Sequence, residues 1–286
     1  MSPHPVAAVP QLFHYRLARR TRGLNPGAHP GTQRGGGMEF RGHASLLTAA
    51  DPRRFDIAAG LRDPFRQVMV RVYTQRGSVP VRVIADLSAS MGFSGHCRKM
   101  DLLADFTASL ALSAHRCGDP FAFTGCDSTP REDFVLPLTR SRAAGAALAV
   151  KLRDLEPSGV DSMGLLAAVE QMPAARALVF LVSDFHFSLD AVNALLAGLA
   201  LHEVVPVVLR DSAEEVTPRH GIARVYDPET AAERTLLLRP ALAQRLKQAA
   251  ASRDLALTRA CAAYGLTPLF LRDRFEADTV TRYFYG

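Results

Sequence analysis

The chain lacks any pair of cysteines at metal-ligand spacing. Its four cysteines, Cys97, Cys117, Cys126 and Cys261, stand apart and none forms a C-x-x-C pair, so a zinc site is not expected. It also lacks an uninterrupted apolar run near the roughly 18 residues that a membrane helix needs. The start, MSPHPVAAVPQLFHYRLARR, has no apolar core of signal-peptide type. These absences predict a cytoplasmic protein with reduced thiols and no transmembrane segment. PGTQRGGG does not supply a nucleotide loop, because it lacks G-x-x-x-x-G-K-[ST] and follows no strand. Acidic residues are missing from 1–37, which carry Arg16, Arg19, Arg20, Arg22 and Arg34. The other residues hold 29 basic and 28 acidic side chains, so the basicity belongs to the N-terminal arm. No interleaved aromatics or known module accompany those arginines, so nucleic acid is not the expected partner.

What is present is an alternation. Hydrophobic residues make up 48% and charged residues 22% of 286, enough to bury a substantial core without staples. The sequence divides into a basic Pro/Gly/Arg-rich arm (1–37), a strand-containing appendage (38–77) and a larger domain (78–286). The arm includes NPGAHPGTQRGGG, which reads as linker. The appendage includes DPRRFD (51–56) and the alternating RQVMVRVY (66–73). In the larger domain, apolar runs at 79–86, 120–127, 177–184 and 203–210 read as buried strands. Shorter strands are expected at 134–138 and 267–272. Helical patterns fall at 98–116, 141–154, 162–172, 189–202 and 241–265, with Leu103, Phe106 and Leu110 on one face of the first. The fold class is therefore α/β, doubly wound around a mostly parallel sheet. Ligands in such folds bind beyond the carboxyl ends of the strands, at the point where strand order reverses.

Three polar clusters stand at such ends: Asp86-Leu-Ser88-Ala-Ser90-Met91, Ser158-Gly-Val-Asp161-Ser162, and Ser183-Asp184. Carboxylates and hydroxyls converging on one edge suit a hard divalent cation, Mg²⁺ or else Mn²⁺ or Ca²⁺. Asp86, Ser88 and Ser90 are spaced to fold three side chains onto one ion. The plainer reading makes Asp86 and Asp184 helix caps. Their joint placement after two buried strands favours the ion. His186 stands near enough in sequence to line the rim of such a site, and a surface histidine is the plainer alternative.

ADLSASM resembles the metal-ion-dependent adhesion motif of von Willebrand factor A domains, and LVSD resembles that family's third metal-binding loop. The resemblance implies a doubly wound sheet with the ion at its top. It implies metal binding by Asp86, Ser88, Ser90 and Asp184, with a partner's carboxylate completing the shell. The second loop departs from the pattern: Val160 stands where the family has a threonine, and Asp161 or Ser162 is left to substitute. Across residues 34–185 the order of motifs is similar to the DUF58 family of von Willebrand A proteins, which are paired with MoxR-type AAA+ ATPases. Those motifs are Gly35–Phe40, DPRRFD, the DxSxSM strand and a helix ending in Gly118-Asp119. The phrase ADPRRFDIAAGLRDPF resembles MxaS-type proteins of methanol-oxidation gene clusters.

The function expected is thus a non-enzymatic, metal-dependent protein-interaction module. It would be an adaptor for a MoxR-type ATPase, with methanol dehydrogenase or its accessory proteins as the implied client. Met91, His186, Arg53 and Arg54 are candidate partner-binding residues, the two arginines with a plain surface ion-pair loop as the alternative. The competing expectation is a Mg²⁺-dependent phosphohydrolase with Asp86 as nucleophile. It is weakened by Ser88, which stands where the acid/base carboxyl would be and cannot do that work near neutral pH.

Overall fold

Apolar runs without polar alternation become strands buried on both faces, and among the described residues five such strands lie parallel. The computed structural model describes residues 9–18, 26–48, 52–157, 159, 163–214, 221–226, 233–238 and 240–286. In chain order they form strand β1 (Pro26–Ser45), helix α1 (Ile57–Arg62), strands β2 (Met69–Gly77) and β3 (Val81–Asp86), and helix α2 (Lys99–Cys117). Strands β4 (Phe121–Cys126) and β5 (Pro130–Thr139) follow, then helices α3 (Arg142–Arg153) and α4 (Gly164–Glu170). Strand β6 (Leu178–Ser183), helix α5 (Leu189–Gly198) and strand β7 (Glu203–Arg210) come next. The chain continues through the hairpin β8 (Gly221–Tyr226) and β9 (Glu233–Leu238), helix α6 (Pro240–Ala263), strand β10 (Leu269–Arg272) and helix α7 (Ala277–Tyr285). Gly118 ends α2 with φ of 72°, a left-handed conformation that costs glycine nothing.

The central sheet has the order β10-β7-β6-β3-β4-β5, with only β5 antiparallel. From β3 the chain first builds outward through β4 and β5, then crosses back to place β6 on the other side of β3. Strand order therefore reverses between β3 and β6. Each face is covered by helices, and β6 shows why. Val179 and Leu181 join Ile84, Val204 and Val208 under Leu165 and Val169 of α4, Val192 and Leu196 of α5, and Leu257 of α6. Phe180, one residue out of phase, points to the opposite face. There its ring meets Phe106 of α2 at 5.5 Å and Phe284 of α7 at 6.3 Å.

The chain divides into two compact units, one of Met1–Tyr15, Pro80–Arg116 and Pro120–Gly286, the other of Arg16–Val79 and Cys117–Asp119. This differs from boundaries at 37 and 77. Phe13 and Tyr15, inside the expected arm, are buried, and the Phe13 ring stacks on Phe106 at 6.3 Å. The Phe13 N–H donates to Ser113 at 3.1 Å and the Gln11 N–H to Ser109 at 3.0 Å, both on α2. In the second unit, the expected linker is strand β1, paired antiparallel with β2 through several register shifts. Asp56 there accepts the Ala59 N–H at the start of α1 and pairs with Arg71 at 2.8 Å. Its hydrogen bond with Arg71 holds its carboxyl well below the usual carboxylate range. Besides β1, the sequence reading missed both strands of the β8–β9 hairpin, α1 and α7.

Candidate functional site

Strand β3 delivers Asp86 and β6 delivers Ser183 and Asp184 to the carboxyl edge of the sheet, side by side at the reversal. Their side chains are tied directly. Ser183 Oγ donates to Asp86 Oδ2 at 2.7 Å, and the Ser88 N–H donates to Asp86 Oδ1 at 2.9 Å. The chain then turns into a short 3-10 helix (Ala89–Gly92) that holds Ser88 Oγ 3.2 Å from Ser90 Oγ. The second loop reaches the same place, since the Ala89 N–H donates to the Gly159 carbonyl at 3.3 Å. Gly159 has φ of 117°, and a Cβ there would come within 2.9 Å of Asp127 Cβ, so both conformation and space require glycine.

Asp86 and Asp184 are 1% and 0% exposed. Burial, with the Asp184 charge beside it, pushes the Asp86 carboxyl up to about 6. Among the described residues Asp86 has no basic partner. Burial acts on Asp184 in the same sense, but Lys99 and His186 outweigh it and hold that carboxyl below its usual value. Lys99 Nζ lies 2.8 Å from Asp184 Oδ2 and 3.2 Å from the Ser90 carbonyl, and it also pairs with Glu214. Lys99 is itself 1% exposed. Burial alone would lower its pKa, and the two carboxylates raise it instead.

The loop after β6 is held from behind. Arg210 of β7 donates to the Asp184 carbonyl, and Arg253 of α6 donates to the carbonyls of Phe185 and, at 2.6 Å for the former, Phe187. Phe185 is fully buried with φ of 53°, a conformation bulky side chains avoid. These contacts, with the Phe185 N–H bonded to Ser183 Oγ at 2.8 Å, hold that backbone in place. Beside the loop, a cavity of about 260 Å³ is lined by His186, Arg210, Glu214, Arg253 and Asp254.

The structure thus brings together Asp86, Ser88, Ser90 and Asp184. Asp161 and Ser162 lie outside the described residues. His186 is half-exposed at the rim, 3.9 Å from Glu214. Met91 corrects the expectation placed on it: it is completely buried, so its side chain is core and not partner surface. Arg53 is exposed, and Arg54 stacks over Tyr73 at 4.7 Å; both belong to the second compact unit. Sequence reasoning missed Lys99, Glu214, Arg210 and Arg253. Lys99 had a signal: it precedes Leu103, Phe106 and Leu110 at helical spacing on the same apolar face. The others come from distant β7, the turn after it and α6, and nothing local marks them.

The family described as "Protein of unknown function DUF58" matches residues 52–255. The chain belongs to the DUF58 family. One relative of this DUF58 chain is the "Uncharacterized protein in moxR 3'region" of Paracoccus denitrificans, 44% identical over 99 residues, which span 34% of this chain and 94% of the relative. Another is the "Uncharacterized protein Rv1480" of Mycobacterium tuberculosis, 23% identical over 282 residues, spanning 97% of this chain and 88% of the relative. Among solved structures, an aerotolerance-related membrane protein from Bacteroides fragilis matches 73% of this chain and 97% of its own, at 11% identity and a TM-score of 0.42. BatB from Bacteroides thetaiotaomicron matches 73% of this chain and 100% of its own, at 11% identity and a TM-score of 0.41. No helix among the described residues is long and apolar enough to cross a membrane.

Proposed function

We propose that this DUF58 protein is a metal-dependent protein-binding module of the von Willebrand A kind, that it works without catalysis, and that its partner is a MoxR-type AAA+ ATPase. The observation that carries the reading is the convergence of Asp86, Ser88, Ser90 and Asp184 at the strand-order reversal, tied by the bond from Ser183 to Asp86. The donor set fits a hard divalent cation. It offers only oxygen, it includes two hydroxyls 3.2 Å apart, and it holds a buried carboxylate that lacks a basic partner among the described residues. Asp86, Ser88, Ser90 and Asp184 would hold Mg²⁺, Mn²⁺ or Ca²⁺, and the ion when bound supplies a positive charge that a partner's Asp or Glu can meet. The chain's own residues do the rest: Ser183 orients Asp86, Arg210 and Arg253 fix the loop bearing Asp184, and half-exposed His186 edges the surface a partner would approach.

The ATPase is supported by family membership and by the relative named for its place in a moxR 3' region. A role in methanol dehydrogenase maturation extends the proposal on the resemblance of ADPRRFDIAAGLRDPF alone. Two experiments test the reading. Calorimetric titration with Mg²⁺ and Mn²⁺ should show binding at millimolar metal or below. Capture of a MoxR-type ATPase should weaken at least tenfold with EDTA or with Asp86→Ala, the order expected for losing one charge-assisted contact. Capture indifferent to both would show that another surface binds the partner.

A further inference from the structure

Resting on that reading, we propose that Lys99 is the site's internal cation: its ammonium holds Asp184 when no divalent ion is bound, and it yields that carboxylate to the ion while keeping Glu214 as its partner.

The geometry of one side chain carries this. Lys99 reaches from the first turn of α2 into the oxygen site and is 1% exposed. Its ammonium has three acceptors: the carboxylate of Asp184, the carbonyl of Ser90 and the carboxylate of Glu214. Two of these belong to residues that the ion would use. Both oxygens of Asp184 are engaged, Oδ2 by Lys99 at 2.8 Å and Oδ1 by the His186 N–H at 3.2 Å. An ion drawing on Asp184 must therefore share that carboxylate with a positive charge already in contact with it, and like charges so close inside a protein repel strongly. An ammonium on a flexible four-carbon stem can give way where a planar guanidinium could not. It cannot be left unpaired at this depth. Glu214 meets that requirement, because Lys99 already touches it and needs only to release Asp184.

The arrangement has an outward consequence. Glu214 lines the open cavity beside the site, with His186 as its neighbour. When Lys99 stops dividing itself between two carboxylates, the charge on Glu214 is more fully compensated, so the surface around His186 becomes less acidic as the ion enters. A partner carboxylate would then approach a rim that has lost negative charge as well as an ion that has gained access.

The test is a double-mutant cycle on metal affinity, with Mn²⁺ and Mg²⁺ as probes and calorimetry on the full chain as the readout. Lys99→Met should bind metal about tenfold more tightly than the wild type. Glu214→Gln, which leaves Lys99 only Asp184 to pair with, should bind about tenfold more weakly. In the double variant the Glu214→Gln effect should vanish, because it acts through Lys99. A wild type that binds no metal beside a Lys99→Met variant that does would also support the proposal. An equal Glu214→Gln effect in both backgrounds would reduce the residues to distant charges and overturn it. So would equal affinity of the wild type and Lys99→Met, with the metal reading left standing. Absence of binding in every protein would overturn both. Should Lys99→Met fail to fold, Lys99→Gln takes its place in the cycle, and the same outcomes support or overturn the proposal.

Discussion

Asp86 is a buried carboxylate beside a second one, an arrangement that costs the folded state whenever both are charged. A carboxylate that is 1% exposed and faces Asp184 stays protonated up to about 6. The unfolded chain releases that proton near 3.8, so between 3.8 and about 6 the folded state binds more protons. Metal-free stability should thus fall as pH rises through that window, with the full cost present above it. Asp184 has the opposite sign: its lowered pKa contributes stability above the ordinary carboxylate value, and that contribution is lost as pH falls below it. Two predictions follow from Asp86. Asp86→Asn, measured by denaturant unfolding without metal, should leave stability unchanged or raise it by about 1 kcal/mol, while metal binding disappears. Metal affinity in the wild type should be roughly tenfold weaker near pH 5 than near pH 7, because the proton and the ion compete for the same oxygens. A flat profile between those values would mean that Asp86 is not at the ion.

At the scale of elements, two close approaches fix how segments pack in the sheet-bearing unit. Helix α4 begins at Gly164, whose N–H donates to the Asp127 carbonyl at 2.9 Å. A Cβ there would sit 2.5 Å from that carbonyl oxygen and 2.6 Å from the Thr129 carbonyl carbon, and backbone cannot move aside as a side chain can. Gly164→Ala should therefore cost about 1–3 kcal/mol, read as a lowered melting temperature, although the residue has ordinary helical geometry. The N-terminal segment is the other case. It reads as a polar arm, yet Phe13 is 1% exposed against Phe106 and Phe275, and Ser109 and Ser113 of α2 accept its backbone N–H groups. Phe13→Ala should cost about 3–5 kcal/mol in chemical denaturation, the range for emptying a buried aromatic site. A loss below about 0.5 kcal/mol would return this segment to the status of a loose arm.

For the whole molecule, the division into two compact units makes a calorimetric prediction. Asp86, Ser88, Ser90, Lys99, Asp184 and Glu214 all belong to one unit, while the β1–β2 ribbon and α1 belong to the other. A ligand stabilises what contains its site, by about 2.7 kcal/mol at a hundredfold excess over Kd. If the units melt separately, Mg²⁺ should raise only the transition of the sheet-bearing unit. The other transition should respond to disruption of the Asp56–Arg71 pair and not to metal. A metal-dependent shift of both by equal amounts would show that they unfold as one.

The α/β class, the buried strands and the polar carboxyl ends of β3 and β6 were legible in the sequence alone. They rest on local signals: continuous apolar runs, helical spacing, and polar residues directly after a buried strand. Asp86, Ser88, Ser90 and Asp184 could be named for that reason, each being close in sequence to the strand that delivers it. Tertiary structure alone decided what surrounds them. Met91 looks available in the sequence and is sealed in the core. Residues 26–37 look like linker and form the first part of strand β1, because pairing with distant β2 outweighs their local glycines and prolines. Lys99 and Glu214 lie more than a hundred residues apart and meet only because α2 starts, and β7 leads into its turn, at the same edge of the sheet. Charge pairing across such separations depends on where the folded backbone puts each side chain, and no local pattern of residues encodes that.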